Sequence, residues 1–280
     1  MKYPKVLGPT ILTGVSEIDL GGTGARLKAP CNGSILGIIV QMARAGIPTV
    51  AESDTVVVRL KGAGAGIQIE PFEVFAQPVN AGISTDIMGF KEEAPVIPVN
   101  CPVKQGQELQ ITAAELTVCT VHPYVGVTVI FADFLATPQY KAKVATLTSG
   151  AGAATGETVG TTLRISGGKW IKQIHALFAD VTIASGKGAI MKYRLSSTGF
   201  KHEAGNPYDL PALPGMGDIE FAGEFIPGVL AGATGSSVSR LTMLKDLDIP
   251  INDPVDIDNY YNQIVALGAA GKFDFCIVYI

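Results

Sequence analysis

The sequence predicts an all-β fold, because short strand-like segments recur along the chain and helical periodicity is scarce. Runs of β-branched and aromatic residues recur at intervals of about ten residues, the spacing typical of sandwiches and barrels. Clusters of Gly, Pro, Asn and Asp separate these runs, and the chain contains 33 Gly and 17 Pro. Several segments also occur twice in the same order, which indicates two similar domains.

Three segments show the strand pattern most clearly. They are residues 56–60, 126–131 and 273–280, and each is rich in Val, Ile, Phe or Tyr. One segment differs, since residues 238–247 place two leucines and a lysine at helical spacing. We therefore expect mostly strands and one short helix near residue 240.

An internal repeat is the most informative feature of the chain. Five blocks recur in the same order. The spacing between the two copies is nearly constant for the first four blocks and larger for the last, which indicates an insertion between Pro214 and Ile249 in the second copy. The repeat predicts that Pro98 and Pro250 occupy equivalent backbone positions. The matched blocks are Thr10–Gly14 with Thr146–Gly150, Gly33–Leu36 with Gly168–Ile171, Val58–Leu60 with Tyr193–Leu195, Pro71–Val74 with Pro207–Leu210, and Ile97–Val103 with Ile249–Val255.

The repeat is too long for a solenoid unit and has the length of a domain. We therefore predict one domain over residues 1–134 and another over residues 135–280, with the joint near 132–160. The glycine-rich stretch 149–156 is either a flexible linker or a turn inside the second domain. Eight-stranded antiparallel domains of about 130 residues are commonly jelly rolls. The predicted fold is two tandem eight-stranded antiparallel jelly rolls, with short helices in inserted loops.

Composition excludes several classes of protein. The chain has 21 basic and 25 acidic residues, so it lacks the basic surplus that marks nucleic-acid-binding proteins. Hydrophobic residues make up 47% and charged residues only 16%, which is too apolar for a disordered chain. This leaves little charge to cover the surface of a monomer, so we expect buried contacts between subunits. We see neither a secretory signal nor a membrane-spanning run.

Candidate catalytic residues are few. His122, His175 and His202 are the only histidines, and none has a second His or Cys at a metal-ligand spacing. The G-x-S-x-G motif of serine hydrolases is missing, although distant residues can also form a Ser-His-Asp triad. Cys119 lies near His122 in a segment typical of a strand with a packed thiol. We therefore assign no catalytic residue and predict that the protein is not an enzyme.

Two glycine runs and one acidic segment are the candidate ligand sites. Gly21–Gly24 and Gly62–Gly66 lack the phosphate-binding pattern and do not open a helix, so we interpret them as turns. Residues 246–258 contain five carboxylates, and such oxygen-rich loops can bind calcium. Their spacing does not match an EF-hand, and a solvated loop is the alternative. We predict no cofactor and no metal ion.

Three further side chains are candidates for a structural or binding role. Arg59 and Arg194 occupy matching positions in the repeat, and we expect them to anchor equivalent loops through hydrogen bonds. Trp170 is the sole tryptophan. We expect it in the core rather than on a ligand-binding surface.

The chain resembles the double jelly-roll major capsid proteins of tailless icosahedral double-stranded DNA viruses, the lineage linking certain bacteriophages, archaeal viruses and adenovirus. The features that carry the resemblance are the length, the paired blocks ending at Val103 and Val255, the paired terminal strands Gly126–Phe131 and Phe273–Ile280, and the larger insertion in the second copy. The resemblance covers nearly the whole chain, but it is architectural and includes no signature motif.

This resemblance implies a structural role in the virion. Three copies are expected to form a pseudo-hexameric capsomer that tiles an icosahedral shell, after synthesis in the host cytoplasm. Partners implied by the family are neighbouring capsomers, penton or minor capsid proteins and, in many members, an internal membrane beneath the shell. Met1–Pro9 would then be a base element that contacts these neighbours. No specific nucleic-acid partner is implied.

Two other functions fit an all-β chain of this composition. Paired jelly rolls occur in glycan-handling enzymes and carbohydrate-binding proteins, which need carboxylates or aromatic rings gathered in a cleft. Aromatic residues make up only 7% of this chain, with a single Trp. A phage tail or surface protein is a further alternative, because it would share the β-rich, low-charge composition.

Overall fold

A computed structural model defines the fold. All regular elements in the described residues are β-strands, which confirms the predicted fold class. The chain divides into two compact units, Met1–Lys143 and Val144–Ile280. The structure describes residues 1–44, 56–64, 66–78, 95–116, 122–148, 157–159, 163–165, 169–180, 190–196, 219–224, 237–238, 242–251, 255–263 and 272–280.

The first unit contains ten described strands, several of them built from the β-branched runs seen in the sequence. These are β1 (Lys2–Ile11), β2 (Ile18–Asp19), β3 (Leu27–Lys28), β4 (Gly33–Arg44), β5 (Val56–Gly62), β6 (Phe72–Phe75), β7 (Gln77–Pro78), β8 (Ile97–Val103), β9 (Glu108–Glu115) and β10 (Pro123–Ala132).

These strands form two sheets, which are antiparallel apart from the short strand β7. Sheet A has the order β1-β10-β4-β8, with β7 pairing in parallel with β4. Sheet B has the order β6-β5-β9, and β2 and β3 both pair with β9. Alternate side chains of both sheets form the apolar core, as in face-to-face sheet packing. The largest fully buried side chains of this unit are Leu12, Leu20, Ile35, Ile38, Phe72, Phe75 and Phe131.

The second unit contains the remaining described strands, the first of which begins at the end of the first unit. They are β11 (Lys141–Thr148), β12 (Glu157–Val159), β13 (Leu163–Ile165), β14 (Lys169–Asp180), β15 (Ile190–Ser196), β16 (Ile219–Glu224), β17 (Ser237–Val238), β18 (Thr242–Leu244), β19 (Ile249–Ile251), β20 (Val255–Gln263) and β21 (Lys272–Tyr279).

The second unit repeats the strand order of the first. Its sheet C has the order β11-β21-β14. The short strands β17, β18 and β19 pair with the other edge of β14, which corresponds to the edge of β4 that pairs with β8. Its sheet D has the order β16-β15-β20, with β12 and β13 on β20. The same strand order in both units agrees with the predicted pair of tandem jelly rolls.

An irregularity shared by the two units fixes how they correspond. In sheet A the pairing of β10 with β4 skips Leu36, and in sheet C the pairing of β21 with β14 skips Lys172. Each is a β-bulge, where one strand carries an extra residue. Asn100 and Asp246 lie in the segments opposite these bulges, and both have positive φ, which Asn and Asp tolerate.

The bulges correct one detail of the predicted repeat. Pro250 pairs with Trp170, two residues before the bulge, and Pro102 pairs with Ser34, also two residues before it. Pro250 therefore corresponds to Pro102, and the predicted equivalence with Pro98 is wrong. The physical reason is that this block carries two prolines four residues apart, so a slip of that size still aligns proline with proline.

The position of the second-copy insertion is also corrected. Arg59 pairs with Glu73, and Arg194 pairs with Glu220, so β16 is the counterpart of β6. The predicted counterpart, Pro207–Leu210, lies outside the described residues. The longer connection of the second unit is thus between β15 and β16, rather than after Pro214.

The helix predicted over residues 238–247 is wrong, because the described residues there form β17 and β18, which pair with β14. Pairing along a long strand outweighs the weak local helical spacing.

β11 lies within the predicted joint, and its neighbour in sheet C is β21. Residues 149–156 lie outside the described residues, so the choice between linker and turn stays a prediction, as does the boundary between residues 134 and 135.

Candidate functional site

The outward side of sheet A is the most unusual surface in the first unit. Along β10, the side chains of Val125, Val127 and Val129 point into the core and are no more than 1% exposed. Tyr124 and Thr128 alternate with them and point outward, where they are exposed or half-buried. This alternation defines an outward surface whose character depends on its neighbours on β1 and β4.

The side chains that flank Thr128 on the two neighbouring strands are uncharged, although β1 also carries the exposed Lys2 and Lys5. Val6 of β1 and Ile39 of β4 pair with Thr128 from either side, so the three side chains form a row on one face. Val6 is 64% exposed. β10 contains no charged residue, and β4 contains none before Arg44. We call this surface the open face, and its principal side chains are Val6, Ile11, Ile39, Tyr124, Thr128 and Ile130.

The outward side of sheet B has the opposite character. Arg59 donates from Nε to Glu73 at 2.7 Å and from Nη1 to Glu17 at 2.8 Å. Lys61 and Thr112 also donate to Glu17. Burial alone would raise the pKa of Glu17, but these hydrogen bonds and the charges of Arg59 and Lys61 lower it. Sheet B therefore carries the polar surface usual for a sandwich, whereas the open face of sheet A is largely apolar.

Arg59 and Arg194 occupy the matching positions that the sequence predicts. The register places each opposite a glutamate on the next strand, Glu73 and Glu220 respectively. Arg59 links strand β6 through Glu73 and the loop before β2 through Glu17, so the loop contact predicted for Arg59 is present.

The first glycine run forms a turn held by Asp19. The amide of Gly24 donates to Asp19 Oδ2 at 2.8 Å, and the amide of Gly21 donates to Thr10 Oγ1 at 2.8 Å. Hydrogen bonds from Gln110, Gly24 and Arg26 lower the pKa of Asp19. These amides are engaged within the protein, and they do not open a helix, so the run does not have the form of a phosphate cradle.

The second glycine run closes against β9. The amide of Ala63 donates to the carbonyl oxygen of Glu108 at 3.2 Å, and Gln107 Nε2 donates to the carbonyl oxygen of Gly66 at 3.3 Å. This run is also a turn between strands.

Two of the three histidines lie within the described residues, far apart in the sequence. His122 Nδ1 lies 2.8 Å from Glu115 Oε1, and Glu115 is 2% exposed. His175 is completely buried, and its Nε2 lies 3.0 Å from Gln173 Oε1. Burial, together with the charge of Lys245, lowers the pKa of His175 to about 3. His202 and Cys119 lie outside the described residues.

The acidic segment does not converge within its described part. Asp248 forms an ion pair with Lys172, and Asp246 is exposed beside it. Asp256 and Asp258 belong to β20, where they pair with Arg164 and Ser196. Among the described residues, no group of three or more His, Cys, Asp or Glu is placed to hold a metal ion. Asp253 lies outside them.

The described cysteines and the tryptophan complete the candidate residues. Cys31, Cys101 and Cys276 form no disulfide, and burial raises the pKa of Cys101 to about 11, so its thiol is unreactive. Trp170 is 45% exposed, so its predicted core position is wrong. It is the second residue of β14, and Lys172 Nζ is 5.9 Å from its ring centroid.

The open face is not among the sites predicted from the sequence, although its signal is present there. Strands buried on both faces have nearly continuous apolar runs, and β4 and β10 have such runs. The surface has the apolar character of a contact site between proteins. Within the described part of the chain, no helix has the length and apolar composition to cross a membrane.

Comparison with known proteins gives matches only among solved structures. No family model and no curated protein matches the chain. The chain is similar to the STIV MCP, with 10% identity, a TM-score of 0.41, and coverage of 100% of this chain and 97% of that chain. It is also similar to a structure of infectious bursal disease virus, Gx strain, with 10% identity, a TM-score of 0.30, and coverage of 100% and 69%. Function is therefore inferred from the strands and surfaces of the chain itself.

Proposed function

We propose that this chain is a structural viral protein, the major capsid protein subunit of a virion. The observation that carries the proposal is that one chain contains the same jelly roll twice, and that the first roll presents a largely apolar outward surface, the open face. A surface of this kind is stabilised when it is buried against another protein. The function is then mechanical: the subunit builds a shell by fitting against copies of itself.

Duplication gives the geometric reason for such a role. Three copies around a threefold axis present six similar rolls, so a trimer has a nearly hexagonal outline. Units of this outline can tile a closed shell. A low charge fraction of 16% suits a protein that buries much of its surface in permanent contacts. This role requires no covalent chemistry, and we propose that the protein is not an enzyme.

The proposal extends to location and partners. The protein is made in the host cytoplasm and resides in the virion, where each trimer contacts neighbouring capsomers and penton or minor capsid proteins. Met1–Pro9, which includes most of β1, forms a base element for these contacts. An internal membrane beneath the shell is a further proposed neighbour.

Mass measurement and imaging test this function directly. The purified protein is examined by mass photometry and by negative-stain electron microscopy, at micromolar concentration and neutral pH. We expect a trimer of the 29.2 kDa chain that forms hexagonal plates or closed shells. A stable monomer would contradict the proposal, and a monomer whose melting temperature rises with an oligosaccharide would support the glycan-binding alternative.

A further inference from the structure

The last strands of the two units differ in burial, although they occupy the same place in the fold. In β10, buried side chains alternate with exposed or half-buried ones from Pro123 to Ile130. In β21, five consecutive side chains from Phe275 to Tyr279 are no more than 4% exposed. Because side chains alternate between the two faces of a strand, β21 is buried on both faces and β10 on only one.

The shared bulge shows which side chains correspond. Ile39 is the third residue after the bulge at Leu36, and it pairs with Thr128. His175 is the third residue after the bulge at Lys172, and it pairs with Cys276. The pair in the second unit therefore occupies the place of the open-face pair in the first.

The two pairs differ in how deeply they are buried. His175 and Cys276 are both 0% exposed, whereas Ile39 and Thr128 remain half-buried. The outward side of β14 and β21 is thus fully buried at this pair in the second unit, whereas the corresponding side of β4 and β10 in the first unit is only partly buried. The composition of β4 and β10 nevertheless is that of strands covered on both sides.

We propose that a second copy of this chain covers the open face of the first unit. The inference rests on the proposed function and adds which surface forms the contact between subunits. It commits to a second copy because the proposed function is assembly from copies of this chain, and because the equivalent side of the second unit is already buried. We do not expect the charged outward side of sheet B in the second copy to cover the open face, because burying its ion pairs costs desolvation energy.

A charge placed on the open face tests this contact. In Thr128→Lys, the new ammonium group would be buried against the second copy, and its desolvation opposes association. Thr23→Lys is the matched control, because it adds the same charge at an exposed turn beside sheet B. We expect Thr128→Lys to run as a folded 29.2 kDa monomer in mass photometry, and Thr23→Lys to keep the wild-type mass.

The outcomes separate the two proposals. If the wild type is oligomeric and Thr128→Lys keeps the same mass, the open face is not the contact, while the proposed function stands. If the wild type is itself a monomer, both proposals fail. Val6→Lys repeats the test at a side chain that is 64% exposed, in case Thr128→Lys does not fold. Binding of the wild type to phosphatidylcholine vesicles, lost in Thr128→Lys without a change in mass, would overturn the second copy in favour of a lipid surface.

Discussion

His175 shows how a single buried side chain couples the fold to pH. The imidazole is completely buried, and its Nδ1 makes no hydrogen bond within the described part of the chain. Such a site favours the neutral ring, because a buried charge without a partner is costly. The pKa therefore falls from 6.5 to about 3 in the folded protein. A predicted strand histidine is thus also a source of acid sensitivity.

We expect acid to destabilise the protein through this residue. Between pH 6.5 and about 3 the unfolded chain binds the proton and the folded chain does not, so stability is full above pH 6.5 and falls below it. The decrease in unfolding free energy from pH 7 to pH 5 should be about 2 kcal/mol larger in the wild type than in His175→Gln. Urea unfolding at both pH values measures it. Equal decreases in the two proteins would refute this role for His175.

Gly62 illustrates a second constraint at the residue scale. A Cβ atom at this position would lie 1.7 Å from the carbonyl oxygen of Ile67, so the chain must shift to accept it. We expect Gly62→Ala to lower the free energy of unfolding by about 1–3 kcal/mol. Gly126→Ala is the control, because its Cβ would have only ordinary contact, 3.9 Å from the Leu7 carbonyl oxygen. Urea midpoints compare them, and an equal effect in both would contradict the steric explanation.

At the scale of elements, the bulge is the feature that organises sheets A and C. It occurs at the same place in β4 and β14, although the two bulged residues, Leu36 and Lys172, share no chemistry. The requirement is thus for an extra backbone residue rather than for a particular side chain. Bulges fix the register of a strand, and a one-residue slip exchanges its two faces.

Deleting Leu36 should therefore be far more damaging than truncating it. The deletion turns one end of β4 over, so core side chains meet solvent and the strand loses its pairing with β10 or β8. We expect the deletion variant to lose its cooperative unfolding transition, and Leu36→Ala to cost about 1 kcal/mol because its side chain is half-buried. Circular dichroism during thermal unfolding distinguishes them. A deletion variant as stable as Leu36→Ala would show that the bulge is dispensable.

At the scale of the whole molecule, charge is divided between the two sides of the first roll. The outward side of sheet B carries a cluster of ion pairs around Arg59, whereas β10 and the part of β4 before Arg44, which form most of the open face, contain no charged residue. Contacts through an uncharged surface depend on the hydrophobic effect, which salt does not screen. The response to salt therefore distinguishes a contact through the open face from a contact through the charged side of sheet B.

The proposed oligomer should resist salt. Raising NaCl from about 0.1 M to about 1 M shortens the Debye length from about 10 Å to about 3 Å, which weakens contacts between exposed charges. We expect the oligomeric mass from light scattering to stay constant, because the open face makes the contact. Dissociation at high salt would instead indicate a contact through charged residues such as Arg59 and Glu73.

The sequence alone determined the fold class and the duplication, since the alternation of strands and turns is local and the repeated blocks keep their order. It also identified Arg59 and Arg194 as counterparts. It did not determine the strand partners of the second copy, because two prolines in one block permit a slip of register, and short range signals at 238–247 favoured a helix. Strand pairing and packing between distant residues establish that Pro250 matches Pro102, that Trp170 is exposed, and that one outward sheet face is buried while its counterpart is only partly buried. Burial depends on residues far apart in the chain, and no local pattern contains that information.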